Sequence, residues 1–166
     1  MNKINDYVVI DTETTGLSPK WCKITEVCAT RVRNGKIVET FTTLINPGKQ
    51  IPEYISDITG ITDDMVYDKP RFYEIADKLK EFIGRDIIVG HNICFDIRFL
   101  NAEFGEEISN DTIDTRTLAK ELYPSLESYR LESLCKQFGL CDKQHHRAES
   151  DVYLTYYLYK FLTNSI

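Results

Sequence analysis

The sequence predicts an α/β protein, a mixed five-stranded sheet flanked by helices. Three observations point there. Three runs rich in β-branched residues follow one another at the start of the chain, and Asn34-Gly35, the strongest short hairpin signal, joins the second to the third. From Arg71 onward, helical stripes alternate with two short strand-like runs. No Pro/Gly/Ser-rich stretch or charge run divides the chain, so residues 1–166 are expected to form a single domain.

The first strand, Val8-Val9-Ile10, runs into Asp11 and Glu13 before Thr15-Gly16 breaks it. Residues 18–23 form a loop, residues 24–33 the second strand, and residues 36–45 its antiparallel return. Asn46-Pro47-Gly48 ends this meander, and residues 52–58 and 62–67 read as two short helical pieces around Thr59-Gly60. A helix over 71–83 sets Phe72, Ile75, Ala76, Leu79, Phe82 and Ile83 on one stripe, and Gly84 stops it. Residues 86–90 suit a short buried parallel strand. A helix at 94–104, a strand at 112–114, helices at 117–122 and 130–138 and a last helix at 148–162 follow.

Hydrophobic residues at 42% and charged residues at 28% are near globular averages, which excludes a disordered chain. Residues 1–6 lack an apolar signal core and no run approaches the ~18–20 apolar residues of a membrane span, so a cytoplasmic protein without membrane association is expected. Five cysteines with no C-x-x-C pair argue against a disulfide framework or structural zinc. A net charge of -6 argues against coating nucleic acid by bulk electrostatics, but not against a nucleic-acid enzyme. Carboxylates gathered to hold cations add negative charge that the cations then offset.

The acidic positions have that character. Residues i and i+2 of a strand share a face about 6.5 Å apart, so Asp11 and Glu13 can converge on common ligands. Hard divalent cations take such oxygen donors, and in phosphodiester-cleaving sites two of them sit ~3.5–4 Å apart. Asp96 lies near the start of a predicted helix and Asp151 in the first turn of the last one, with His146 five residues earlier. An imidazole beside a helix-borne carboxylate can serve as general base. Capping of those helices is the alternative for both acids.

The order Asp11-x-Glu13, then Asn92-x-x-Phe95-Asp96-x-x-Phe99-Leu100, then His146-x-Ala148-x-x-Asp151 resembles the DEDDh exonucleases, the family of the proofreading subunit of bacterial DNA polymerase III. The likeness runs from Tyr7 to Phe161, and Ile113-Asp114-Thr115 and Leu131-Glu132-Ser133-Leu134 resemble the family's connecting elements. Residues 58–66 resemble the exonuclease domain of the replicative polymerase of Gram-positive bacteria. Thr59 stands where the proofreading subunit usually has His, so a substrate contact by that residue does not carry over. The resemblance implies a ribonuclease-H-like fold, two divalent cations (Mg²⁺ or Mn²⁺), and release of nucleoside 5′-monophosphates from a 3′ end. It implies Asp11, Glu13 and Asp151 as direct metal ligands, Asp96 acting through a bound water, and His146 as the base that deprotonates the attacking water. The Tyr-containing sister branch would need Tyr where Arg147 stands.

Thr14 and Thr15 leave the acidic strand directly and are expected to touch the terminal nucleotide; His91 and Asn92 are candidate substrate contacts, with helix capping as the alternative for Asn92. Trp21, flanked by Lys20 and Lys23, is expected to pack as a small hydrophobic plug, with base stacking as the alternative. His145 adjoins His146 as a competing base, and the four tyrosines of the last helix carry no assigned chemistry. The expected function is a 3′→5′ exonuclease acting on single-stranded or frayed 3′ ends of DNA in replication proofreading or repair, with a replicative DNA polymerase as candidate partner. The alternatives are an exoribonuclease trimming RNA ends and a catalytically silent polymerase-binding module.

Overall fold

The computed structural model describes residues 4–140 and 147–164. Strand β1 (Tyr7–Thr14) is central, and β2 (Ile24–Arg33) and β3 (Lys36–Leu44) extend the sheet from it as an antiparallel meander. Two short helices, α1 (Glu53–Thr59) and α2 (Asp63–Val66), and a longer one, α3 (Phe72–Ile83), carry the chain back. It then enters β4 (Ile88–Gly90) on the other side of β1, followed by α4 (Cys94–Phe104) and β5 (Thr112–Asp114). Helices α5 (Thr115–Leu122), α6 (Leu131–Gln137) and α7 (Ala148–Asn164) complete the order. The sheet order is β3-β2-β1-β4-β5, with β1, β4 and β5 mutually parallel, the mixed five-stranded sheet the sequence predicts.

The alternation of β1 divides the core. Tyr7 and Val9 face a cluster closed by α5, α6 and α7, where the Tyr7 ring meets Tyr159 edge-on at 4.9 Å. Val8 and Ile10 face the opposite cluster under α3 and α4, which buries Phe72, Ile75, Leu79, Phe82, Ile83, Phe99 and Leu100. By the same alternation Asp11 and Glu13 continue the α7 face, and Thr12 the α4 face. The chain switches sides between β1 and β4, and the carboxyl ends of parallel strands at such a switch are where open α/β sheets bind ligands.

The element boundaries have local causes. β1 runs through its carboxylates to Thr14, stopping before Thr15-Gly16 as the sequence predicts: Asp11 pairs with Cys28 and Glu13 with Glu26, because the ladder bonds backbone groups whatever the side chains carry, and the register shifts only after Glu13. α5 begins at Thr115 because the Asp114 carboxylate accepts from the Arg116 amide and caps it. Trp21 is not a plug: 68% of it is exposed. The loop closes instead on Cys22, whose Sγ would lie 2.7 Å from a Cβ at Gly16, so a side chain at that position would have to displace it. Tyr156 donates to the Gly35 carbonyl at 2.9 Å, Tyr159 is core, and Tyr157 is exposed. No described helix is long and apolar enough to cross a membrane.

Gly90 ends β4 where a Cβ would lie 2.4 Å from Ile93 Cδ1. Gly90→Ala is expected to cost about 1–3 kcal/mol by overpacking, read as a lower urea midpoint, and Ile93→Val, which removes that Cδ1, to recover part of the loss.

Candidate active site

Asp11 and Glu13 come from β1 and Asp151 from the first turn of α7, and one carboxylate oxygen from each lies within 4.8 Å of the others. Asp151 is buried and the other two are half-buried, and Asp11 and Asp151 line an open cleft. Asp96, buried in the first turn of α4, stands outside this trio: its Oδ1 accepts both from the Thr12 amide at 2.9 Å and from Thr12 Oγ1 at 2.7 Å. Thr12 thus ties α4 to the strand between the two acidic residues of β1.

The electrostatics follow from crowding like charges away from water. Burial, then the charges of Asp96, Glu13, Asp151 and Glu26, raise the Asp11 carboxyl well above its ordinary range. Burial, then Asp151, Glu26 and Asp96, push Glu13 up to about 8, and Arg147 opposes the rise. Burial pushes Asp96 up to about 7 against the lowering effect of its Thr12 bonds. Oxygen donors held this close fit divalent metal ions, which lower the energy of the ionised carboxylates.

The cleft, about 430 Å³, is lined by Asp11 and Asp151 together with His91, Asn92, Arg116, Tyr129 and Arg130 among others. His91 is a strut there. Its Nε2 lies 2.9 Å from the Tyr129 carbonyl, which only accepts, so that nitrogen carries the proton. Burial lowers its pKa, and Nδ1 lies 2.8 Å from Thr115 Oγ1, whose hydroxyl donates to the Gly90 carbonyl at 3.2 Å. Asn92 does not cap α4: it takes a left-handed φ of 62°, donates its amide to Asp114 Oδ1, and accepts from Arg116 at its side-chain oxygen. Thr14 and Thr15 are buried and their hydroxyls bond within the loop, Thr14 donating to the Gly16 carbonyl and Thr15 accepting from the Lys23 amide. The Thr59 hydroxyl is likewise used locally, accepting from the Ile61 amide. His145 and His146 lie outside the described residues.

One residue of this site was missed in the sequence. Glu26 sits opposite Glu13 on β2, 3% exposed, and takes a two-pronged ion pair from Arg147, Nε to Oε2 at 2.9 Å and Nη2 to Oε1 at 2.6 Å, plus the Ala148 amide at 3.1 Å. This clasp fastens the start of α7, and with it Asp151, to the edge of the acidic site. The available signal was a glutamate in the first half of a strand, between Ile24 and Val27, where a charge has no place unless it is paired.

A model of the exonuclease family RNase T matches residues 8–159. The chain belongs to that family. It is one of the DEDDh exonucleases and is 43% identical over 164 residues to a DNA polymerase III of PolC type from Pediococcus pentosaceus and 42% over 157 residues to that of Bacillus subtilis. It covers 96% and 92% of itself in these matches but spans 11% of the length of each polymerase. Among solved structures, exonuclease X in complex with 5′-overhanging duplex DNA superposes with a TM-score of 0.81 at 32% identity, covering 96% of this chain and 92% of the other. An E. coli exonuclease I complex with single-stranded DNA gives 0.85 at 22% identity, covering 98% and 41%, a likeness of fold.

Two outcomes test the geometry. Arg147→Met strands the buried Glu26 and should cost about 1–3 kcal/mol of stability, whereas Glu26→Gln with Arg147→Met should cost less than the sum of the two singles. A carboxyl raised in the fold binds more protons folded than unfolded, so it subtracts stability as pH rises from its ordinary value to its raised one. With chelator present, the melting temperature should therefore fall between about pH 4.5 and 8, the span of Glu13, and added Mg²⁺ should raise it more at pH 8 than at pH 5.

Proposed function

We propose that this exonuclease domain is a metal-dependent 3′→5′ enzyme that releases nucleoside 5′-monophosphates from single-stranded or frayed DNA 3′ ends, in replication proofreading or repair. The observation that carries the reading is the convergence of Asp11, Glu13 and Asp151 at the carboxyl end of β1, beside a cleft open to solvent. The relatives support DNA as substrate: the similar curated chains are DNA polymerases, and the solved exonuclease X and exonuclease I structures hold DNA.

Asp11, Glu13 and Asp151 would hold two Mg²⁺ or Mn²⁺ ions. When bound, such ions supply the positive charge that screens a phosphodiester from an anionic nucleophile and stabilises the leaving 3′ oxygen. Asp96, fixed by Thr12, would act on the same site through a bound water. His146 would take the proton from the attacking water. Arg116 and Arg130, exposed on the cleft wall, would face the phosphates of the entering strand. Nothing in an acidic chain with no ATP-binding glycine loop looks built to force a duplex apart, so a mispaired end would be taken faster because it frays more easily.

The test is digestion of matched 3′-labelled and 5′-labelled oligonucleotides. Activity should vanish in EDTA and return with Mg²⁺ or Mn²⁺. Asp11→Asn and Asp151→Asn should each abolish it without lowering the chelated melting temperature, and His146→Ala should lose roughly 10²–10⁴-fold in rate while still binding metal. Digestion from the 5′ end, or full activity of either Asn variant, overturns the reading.

A further inference from the structure

We propose that Trp21 is a stacking platform for an unpaired base of the strand entering the site, upstream of the terminal nucleotide, with Lys20 and Lys49 placed for its phosphates. The inference rests on the function proposed above and deepens it.

Trp21 is the chain's one tryptophan, and 68% of it is exposed. It is not on a loose tip. The Trp21 and Cys22 amides both donate to the Ser18 carbonyl, at 3.0 and 2.7 Å. The base of the loop is closed twice, by Thr15 donating its amide to the Lys23 carbonyl at 2.8 Å and by the Lys23 amide donating back to Thr15 Oγ1 at 3.0 Å. Cys22 seals the underside against Gly16. An exposed indole on a braced loop meets a ligand with little ordering cost.

Its setting favours nucleic acid as that ligand. In a chain of net charge -6, Lys20 Nζ sits 4.8 Å from the Trp21 ring centroid and Lys49 Nζ donates to the Trp21 carbonyl at 2.6 Å. An aromatic ring with ammonium groups beside it is the pairing that binds single strands, the ring taking a base and the cations the backbone. Position agrees. Glu13 lies two residues before Thr15 and Trp21 two before Lys23, so chain reach across the closed loop keeps the Trp21 backbone within about 20 Å of the acidic strand. A base held there belongs to the same strand as the one being cut, a few nucleotides upstream.

The experiment compares wild type, Trp21→Ala and Trp21→Phe on a ten-residue oligothymidylate and on the p-nitrophenyl ester of thymidine 5′-monophosphate, which is too short to reach the loop. Loss of one stacked base should lower kcat/KM of Trp21→Ala on the oligonucleotide roughly 5- to 150-fold, mainly through KM, and leave the ester unchanged. Trp21→Phe should recover most of the loss. In wild type with Ca²⁺ replacing Mg²⁺, the oligonucleotide should quench the single tryptophan emission along the curve followed by anisotropy of a labelled strand. Equal oligonucleotide kinetics in Trp21→Ala, an equal loss on both substrates, or saturable binding without quenching each overturns the proposal. Wild type that cleaves neither substrate overturns the exonuclease reading itself.

Discussion

The structure turns on a repulsion. Asp11, Glu13 and Asp151 bring oxygens within 4.8 Å of one another, and Asp96 and Glu26 add charge close by. At such distances two like charges oppose each other by about 1 kcal/mol in bulk water and by about 4 at the weaker screening near a protein surface. Left to itself, a surface with this composition would spread apart. It is held because each carboxylate is borne by an element that packing fixes independently: β1 is paired on both sides, and α7 buries Val152, Leu154, Leu158, Tyr159 and Leu162 against the sheet. The core thus supplies the energy that the site spends.

Two polar contacts turn that general rigidity into local precision. Thr12 uses both its amide and its hydroxyl on Asp96, tying α4 to β1 between Asp11 and Glu13. Glu26 and Arg147 fasten α7 to β2, and Arg147 opposes the raised pKa of Glu13. The planar guanidinium matters because two parallel bonds fix an angle as well as a distance, which a lysine ammonium does not. Arg147 also follows His146 directly in the sequence, so the chain leaves the histidine into a fastened residue.

The fold class and the Asp11/Glu13 pair were legible in the sequence, because period-2 and period-3.6 patterns and the i, i+2 spacing are written in consecutive residues, whereas Asp151 joined them only through the resemblance to the DEDDh order of motifs. The hairpin at Asn34-Gly35 was legible for the same reason, and Asn34 does take the left-handed φ of 51° that such a turn needs. What stayed hidden depends on pairs far apart in the chain. Glu26 and Arg147 are 121 residues apart, Thr12 and Asp96 84, and no local pattern couples them. His91 was a candidate substrate contact because it stands at a strand end that resembles a substrate-contacting turn; that both of its ring nitrogens are engaged within the protein is something only three-dimensional neighbours reveal. Trp21 misled in the opposite way, since its size suggests burial whereas Cys22 and Gly16 had already closed the loop beneath it.

The same charges bear on the order of events in the proposed reaction. A phosphodiester approaching the acidic strand without cations meets like charge, so the site itself selects against substrate until it is loaded, and no separate gate is required. Attraction of the strand must then come from elsewhere in a chain whose net charge is -6. Arg116 and Arg130 on the cleft wall and Lys20 and Lys49 around Trp21 are placed to supply it locally, where a uniformly basic surface would hold paired and unpaired ends alike. Few cations and an aromatic ring bias the balance toward a strand whose bases are already free, since stacking on Trp21 requires a base that no template holds. In the proposed reaction, preference for frayed ends would then arise from what the surface lacks as much as from what it carries.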